Sequence, residues 1–321
     1  MLKPTLTLNP NEFFALSFSP LAPLQRRLAD ALQHGSSLGL FLPAAAASTV
    51  SAVSLAISGG ISLSLALATF LLVYSSYLID HLADVGRFDG ELDSDRGRSM
   101  ARHQRIFAVC GVTAFLGALG ITALEANLAS VLLLLAFPLS VVLYGTEWFG
   151  RFTFGLLRYR RLKDIPGIKA FYTAFFWGLL MVYADCFLGG GGLPVLVFFF
   201  GYMLMSDFVN TVFCDFKDLH RDRADGVATL PLLLGVPQTF QLLRLANHFS
   251  VLWLCGFVAA GWVPVGLLGL ALIHPYVSAV LGHGERGLAK GKLPGDAVMD
   301  AEFLLWLPCA LLGFWLFSTL A

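Results

Sequence analysis

Three aspartates at the end of a long apolar run are the residues of this sequence best suited to chemistry. Asp215, Asp218 and Asp222 follow the run VLVFFFGYMLM at spacings of three and four residues, which puts them on one face of a helix. Carboxylates this close repel one another and are stable only in bulk solvent or beside a cation. Segment 210–231 therefore indicates either a solvated helix end or a cation site at the end of a membrane-length helix.

A second acidic cluster ends an earlier apolar segment. Ser76, Asp80 and Asp84 are spaced by four residues and share one helical face. Two facing groups of carboxylates suit a hard divalent cation, and Mg²⁺ typically combines one or two carboxylates with the phosphates of a substrate. The two clusters together predict a site in which Mg²⁺ bridges a diphosphate and stabilises its charge as it leaves.

Polar and aromatic residues nearby could complete such a site. We expect Arg96, Lys217 and Arg221 to contact the diphosphate, and Asn210 to bind the substrate from within the apolar run. The alternative for each basic residue is a role in topology alone, since cytoplasmic loops are rich in arginine. The 28 Phe, 6 Trp and 8 Tyr residues are compatible with stabilising an allylic carbocation, or with packing and lipid contact.

The composition is that of a polytopic all-α membrane protein. Hydrophobic residues make up 57% of the chain and charged residues 13%, against roughly 25% charged in a soluble domain. About nine apolar segments approach the ~20 residues that span a bilayer. The net charge of zero offers no argument for a nucleic-acid partner. The predicted spans are 37–58, 61–84, 104–124, 128–147, 167–188, 193–216, 236–258, 265–283 and 301–320.

The distribution of Lys and Arg predicts an orientation in the membrane. Apart from Arg244, they lie in residues 1–36, in the longer loops or in the adjoining helix turns. The positive-inside rule then places the N-terminus and the loops that bear the acidic clusters in the cytoplasm, and the C-terminus on the opposite side. We expect residues 1–36 to form a cytoplasmic or interfacial segment, and residues 37–321 to form one transmembrane domain.

The acidic clusters resemble those of a known family. Segment 215–235, with the pattern DxxDxxxD followed by a glycine, TLP and a Leu-Gly pair, resembles the second aspartate motif of the UbiA-type intramembrane prenyltransferases. The first cluster resembles the family's NDxxDxxxD motif, with Asp80 and Asp84 on its last two aspartates. Ser76 and Tyr77 stand where the family has Asn-Asp, so one acidic ligand is replaced by tyrosine.

This resemblance implies nine helices around a central cavity, with Mg²⁺ and an isoprenyl diphosphate beneath the cytoplasmic loops. Tyr159-x-x-x-Lys163 resembles the family's tyrosine–lysine pair, so Lys163 would contact the diphosphate and Tyr159 would position it. Ser76 would keep a hydrogen-bonding role in substrate binding. The residues implied as Mg²⁺ ligands, with Asp215 also catalytic, are Asp80, Asp84, Asp215, Asp218 and Asp222.

Three functions are open at this point. The first is a prenyltransferase that ionises an isoprenyl diphosphate and passes the prenyl group to an aromatic or lipidic acceptor. The second is a terpene cyclase of the same scaffold, in which the chain's own double bonds capture the cation. The third is a transporter whose intramembrane carboxylates bind cations, although the clusters lie at the ends of spans and not at mid-membrane.

Overall fold

The protein is described by a computed structural model that covers residues 39–85, 102–145, 151, 159, 161–162, 165–224, 226–291 and 293–320. Within these ranges, the side chains of residues 83–85, 141, 145, 221 and 320 fall outside the description. The predicted N-terminal interfacial segment, residues 1–36, lies outside the described residues.

All of the described secondary structure is helical. The α-helices are α1 Phe41–Ser58, α2 Leu63–Val85, α3 Gln104–Glu125, α4 Leu128–Gly145, α5 Ile168–Phe187, α6 Leu193–Ala224, α7 Leu230–Leu234, α8 Val236–Ala259, α9 Ile273–Leu288, α10 Asp296–Leu304 and α11 Trp306–Leu320. A 3₁₀ helix, Val265–Leu272, leads directly into α9, and α10 and α11 follow each other with a break at Leu305.

Eight helical segments in the described part of the chain are long and apolar enough to cross a membrane, so the predicted class, an all-α polytopic membrane protein, is confirmed. The fourth predicted span corresponds to the shorter helix α4, which contains Pro138. Three predicted boundaries differ by five residues or more. Helix α6 continues to Ala224, α9 continues to Leu288, and α10 begins at Asp296, ahead of the predicted start at 301.

Helix α1 joins the first and last parts of the bundle. It packs against α2 and α5, and also against α10 and α11 near the end of the chain. The Ser48 hydroxyl donates to the Leu304 carbonyl (2.9 Å) and accepts from the Leu307 amide (3.1 Å). These backbone groups flank the break at Leu305, and in a membrane they need a partner within the protein. Ser48 therefore helps to hold α10 and α11 in place against α1.

Glycines allow the 3₁₀ helix and α11 to approach backbone to backbone. A Cβ atom on Gly269 would lie 2.0 Å from the Cys309 carbonyl oxygen, and one on Gly313 would lie 2.0 Å from the Gly266 carbonyl oxygen. Small residues commonly occupy such close helix crossings in membranes. The crossing fixes the last helix against the segment that precedes α9.

We predict that Gly313→Ala destabilises the protein by about 1–3 kcal/mol, because the added methyl group forces two backbones apart. Gly256→Ala is the matched control, since an added Cβ there would have no neighbour within 4 Å. Thermal unfolding in detergent measures both variants. Equal midpoints for Gly313→Ala and the wild type would contradict the close crossing.

Candidate functional site

Helix α6 carries the second aspartate motif, and the turn after it is fixed by backbone hydrogen bonds. The Val227 amide donates to the Asp222 carbonyl (2.8 Å), and the Gly167 amide donates to the Ala228 carbonyl (2.7 Å). Gly167 has φ = 72°, a conformation that glycine adopts without strain. The TLP segment then starts α7, with Thr229 as its N-cap. These contacts tie the end of α6 to the start of α5.

Asp215 is the most buried carboxylate of the motif and has a cationic partner. Its side chain is 0% exposed, and its Oδ1 atom lies 2.5 Å from Nζ of Lys169 in the first turn of α5. Oδ2 of Asp215 is also buried and accepts no hydrogen bond from any described group. One oxygen of this carboxylate therefore remains available to a cation or a hydrogen-bond donor.

Tyr144 lies where the two acidic clusters meet. Its ring stacks on that of Tyr172, with 4.9 Å between ring centroids, and Tyr172 is fixed by a 2.8 Å hydrogen bond from its hydroxyl to the Ser140 carbonyl. The Tyr144 hydroxyl interacts electrostatically with Asp215, Asp80 and Asp222. Carboxylates of α2 and α6 thus face a common region, and we call this end of the bundle the acidic end.

The structure describes the side chains of three of the four other predicted Mg²⁺ ligands. Asp80 is exposed, Asp218 is half-buried and Asp222 is buried. Asp84 lies on the last turn of α2, but its side chain is outside the described residues, as is that of Arg221.

The predicted substrate-binding residues do not all face the Lys169–Asp215 pair. Ser76 donates to the Leu72 carbonyl (3.0 Å) within α2. The Asn210 amide donates to Oδ1 of Asp300 (3.1 Å), and Lys217 forms an ion pair with Asp296, so both of these α6 residues turn towards α10. Tyr159 is half-buried. Lys163 and Arg96 lie outside the described residues, and their roles stay predictions.

Lys169 and Tyr144 were missed by sequence reasoning. Lys169 follows a Pro-Gly turn and opens an apolar span, a position that also suits a lysine at the membrane surface. Tyr144 is one of eight tyrosines in the chain. Only the packing of α5 against α6, and of α4 against α5, distinguishes these two side chains from other interfacial ones.

The described side chains could bind Mg²⁺ only together with ligands from water or a substrate. No three His, Cys, Asp or Glu side chains in the described ranges converge closely enough to enclose a metal ion by themselves. Mg²⁺ usually binds one or two protein carboxylates and completes its coordination with water and substrate phosphates. The buried, unbonded Oδ2 of Asp215 is an oxygen ligand of that kind, and Asp80 and Asp222 supply further carboxylates nearby.

Fold and site together define a polytopic all-α membrane protein with carboxylates of two helices gathered at one end. The fold is that of the UbiA homologues, which confirms the resemblance drawn from the aspartate motifs. A UbiA homolog from Archaeoglobus fulgidus bound to DMAPP and Mg²⁺ aligns over 87% of this chain and 97% of its own, with a TM-score of 0.53 and 17% identity. The apo UbiA homolog from Aeropyrum pernix K1 aligns over 85% and 97%, with a TM-score of 0.59 and 13% identity.

Sequence similarity to characterised proteins is more limited. A digeranylgeranylglyceryl phosphate synthase from Natronomonas pharaonis is 27% identical over 120 residues. This match covers 37% of the present chain and 36% of the relative, so it spans about a third of that protein's length. No family model matches the sequence.

We predict that Lys169→Met destabilises the metal-free protein by about 1–3 kcal/mol. Removing one partner of a fully buried ion pair costs about 3–5 kcal/mol, and the Lys169 side chain is 30% exposed, which reduces the effect. The double variant Lys169→Met/Asp215→Asn should recover part of this loss, because no charge is then left unpaired. Thermal unfolding in detergent with a chelator completes the double-mutant cycle, and strictly additive losses would show that the pair is not coupled.

Proposed function

We propose that this protein is a Mg²⁺-dependent intramembrane prenyltransferase, which ionises an isoprenyl diphosphate and passes the prenyl group to an aromatic or lipidic acceptor. The observation that carries the proposal is the buried carboxylate of Asp215, whose Oδ2 atom accepts no hydrogen bond from any described group. Asp80 and Asp222 interact electrostatically with the same Tyr144 hydroxyl as Asp215. Carboxylates from two helices around such an oxygen suit cations that in turn hold a diphosphate. The Archaeoglobus fulgidus homolog of the same fold binds DMAPP or GPP together with Mg²⁺, and the relative found by sequence is a digeranylgeranylglyceryl phosphate synthase. Both relatives support this choice.

In this proposal, Asp80, Asp215 and Asp222 would hold Mg²⁺ together with Asp84 and Asp218. Mg²⁺ bound there would supply positive charge to the diphosphate oxygens. Lys169 keeps Asp215 ionised and oriented within an apolar helix pair. Its amine lies beside the proposed diphosphate region and adds positive charge there. Lys163, Arg96 and Arg221 remain proposed diphosphate contacts from the adjoining segments, and Tyr159 remains a proposed positioning residue.

A row of aromatic rings leads from the acidic end along α5. The Tyr144–Tyr172 stack continues to Phe176, whose ring centroid is 4.7 Å from that of Tyr172, and then to Phe137 at 6.4 Å. Aromatic faces stabilise cations within about 6 Å. We propose that Tyr144 and Tyr172 lie beside the allylic carbocation and that Phe176 and Phe137 contact the prenyl tail.

We predict that Asp215→Asn lowers Mg²⁺-dependent diphosphate release at least ~100-fold, because asparagine supplies a neutral oxygen where a metal-binding carboxylate is needed. Asp222→Asn should behave similarly. Glu125 is exposed and is the last residue of α3, at the end of that helix away from the acidic end. The control variant Glu125→Gln should therefore retain the wild-type rate of diphosphate release. The assay measures diphosphate from geranyl diphosphate in detergent, with Mg²⁺ or with a chelator.

Two results would contradict the proposal. Wild-type release that continues undiminished in the chelator would remove the metal requirement, and full activity of both aspartate variants would remove the carboxylates from the site. The assay is run with a phenol, with a glyceryl phosphate lipid and without an acceptor. A cyclic hydrocarbon or alcohol as the main product without an acceptor would replace transfer with cyclisation as the activity.

A further inference from the structure

The ion pair between Lys169 and Asp215 occupies only one oxygen of a buried carboxylate. Nζ of Lys169 lies 2.5 Å from Oδ1 of Asp215, while Oδ2 is buried and accepts no hydrogen bond from any described group. A cation at Oδ2 would share one carboxylate with the lysine ammonium group, at a side chain that is 0% exposed. Two positive charges this close repel each other, and burial strengthens the repulsion because little water screens it. Lys169 therefore opposes the binding of a metal ion by Asp215.

The side chain of Lys169 is the partner that can leave the pair. It is 30% exposed, whereas the side chain of Asp215 is fully buried. Lysine carries its charge on a flexible four-carbon stem, and such a stem can turn the charge towards a more polar region while its methylene groups stay on apolar surface. The ammonium group can therefore change its partner by rotation of the side chain alone.

Other contacts hold α5 against α6 when the ion pair opens. The Gly167 amide donates to the Ala228 carbonyl (2.7 Å), just beyond the end of α6. One turn deeper than Lys169, the Thr173 hydroxyl lies 3.1 Å from that of Thr211 on α6. Neither contact involves a charge of the ion pair. The backbone around Lys169 can therefore stay in place while the ammonium group moves.

Charge complementarity identifies the second partner of Lys169. Its ammonium group also interacts electrostatically with Asp218 and Asp222, so the carboxylates of the α6 motif together attract it. Cations bound to those carboxylates would weaken that attraction. A diphosphate brings several negative charges to the same region in the proposed function, and lysine binds phosphate groups as a point charge. A prenyl diphosphate is therefore the partner whose chemistry suits the released ammonium group.

We propose that Lys169 makes metal binding and diphosphate binding interdependent: it holds Asp215 in the ligand-free protein and moves to the diphosphate when Asp215 takes a metal ion. The inference rests on the proposed function. When a metal ion binds alone, the ammonium group loses its partner, and when the metal ion binds together with a diphosphate, the ammonium group gains a new one. The difference is a coupling free energy, by which each ligand raises the affinity for the other. Lys169 thereby disfavours metal binding in the absence of substrate.

The first test measures Mn²⁺ binding to the protein in detergent without any diphosphate, from the electron paramagnetic resonance signal of the unbound ion. Lys169→Met should bind Mn²⁺ about 10-fold more tightly than the wild type, an effect between those of an exposed and a buried ion pair. Arg223→Gln is the matched control, because it removes an equal charge from an exposed position in the last turn of α6. It should change the affinity less than about 2-fold, since solvent screens exposed charges.

A second measurement should change in the opposite direction. At saturating Mg²⁺, the concentration of geranyl diphosphate that half-saturates diphosphate release should rise about 10-fold in Lys169→Met, because the diphosphate lacks the contact with the ammonium group. An unchanged concentration would overturn the move of Lys169 to the diphosphate. Lys169→Gln takes the place of Lys169→Met should the latter not fold, because glutamine is neutral and can still donate a hydrogen bond to Asp215.

The outcomes separate this inference from the proposed function. Equal Mn²⁺ affinities of Lys169→Met and the wild type would overturn the coupling, and so would an equal gain in Arg223→Gln, because the effect would then be one of net charge. Weaker binding of both ligands by Lys169→Met would also overturn it and leave Lys169 a purely structural residue. The proposed function stands in these cases. If the wild type releases no diphosphate at saturating Mg²⁺, the proposed function fails and this inference fails with it.

Discussion

The ion pair between Lys169 and Asp215 is the interaction on which the acidic end depends. An ionised carboxylate at 0% exposure between two membrane-spanning helices is costly unless a cation compensates it. Lys169 supplies that charge from the first turn of α5, and α5 is in turn tied to the end of α6 through the Gly167–Ala228 hydrogen bond. The pair leaves one oxygen of Asp215 without a hydrogen bond from any described group, so the arrangement stabilises the helix contact and leaves that oxygen open to a further partner.

Helix α6 serves two polar regions with different physical character. Its face towards α5 carries Thr211 and Asp215, which contact Thr173 and Lys169 of that helix. Its face towards α10 carries Asn210 and Lys217, whose partners are aspartates of α10. Asp207 interacts with groups on both sides. The second polar face of α6 meets α10, where Oε1 of the buried Glu302 has no hydrogen-bond partner among the described residues.

Much of the fold could be predicted from the sequence, because apolar runs and the loops between them are strong one-dimensional signals. The same is true of the α6 motif, since its spacing of three and four residues matches a helical face directly. The orientation of Asn210 and Lys217 could not be obtained in this way. Both lie on the same helix as Asp215, and only the position of α10, more than 70 residues further along the chain, determines that they turn away from it. The break at Leu305 was missed for the same reason, since Ser48 of the distant α1 stabilises it.

The departure at Ser76-Tyr77 has a physical counterpart in the structure. Ser76 donates a hydrogen bond to its own helix, and the Tyr77 ring lies tilted against that of His81, with 4.0 Å between ring centroids. Because neither Ser76 nor Tyr77 is acidic, α2 presents fewer carboxylates than the motif that it resembles. The carboxylates of α6 therefore supply more of the negative charge at the acidic end, and the most buried of them, Asp215, pairs with Lys169. In the proposed function, a diphosphate would therefore meet a site in which one lysine and one carboxylate are coupled. A cation bound to Asp215 would compete with Lys169 for that carboxylate, and the Lys169 amine would then be available to contact the diphosphate.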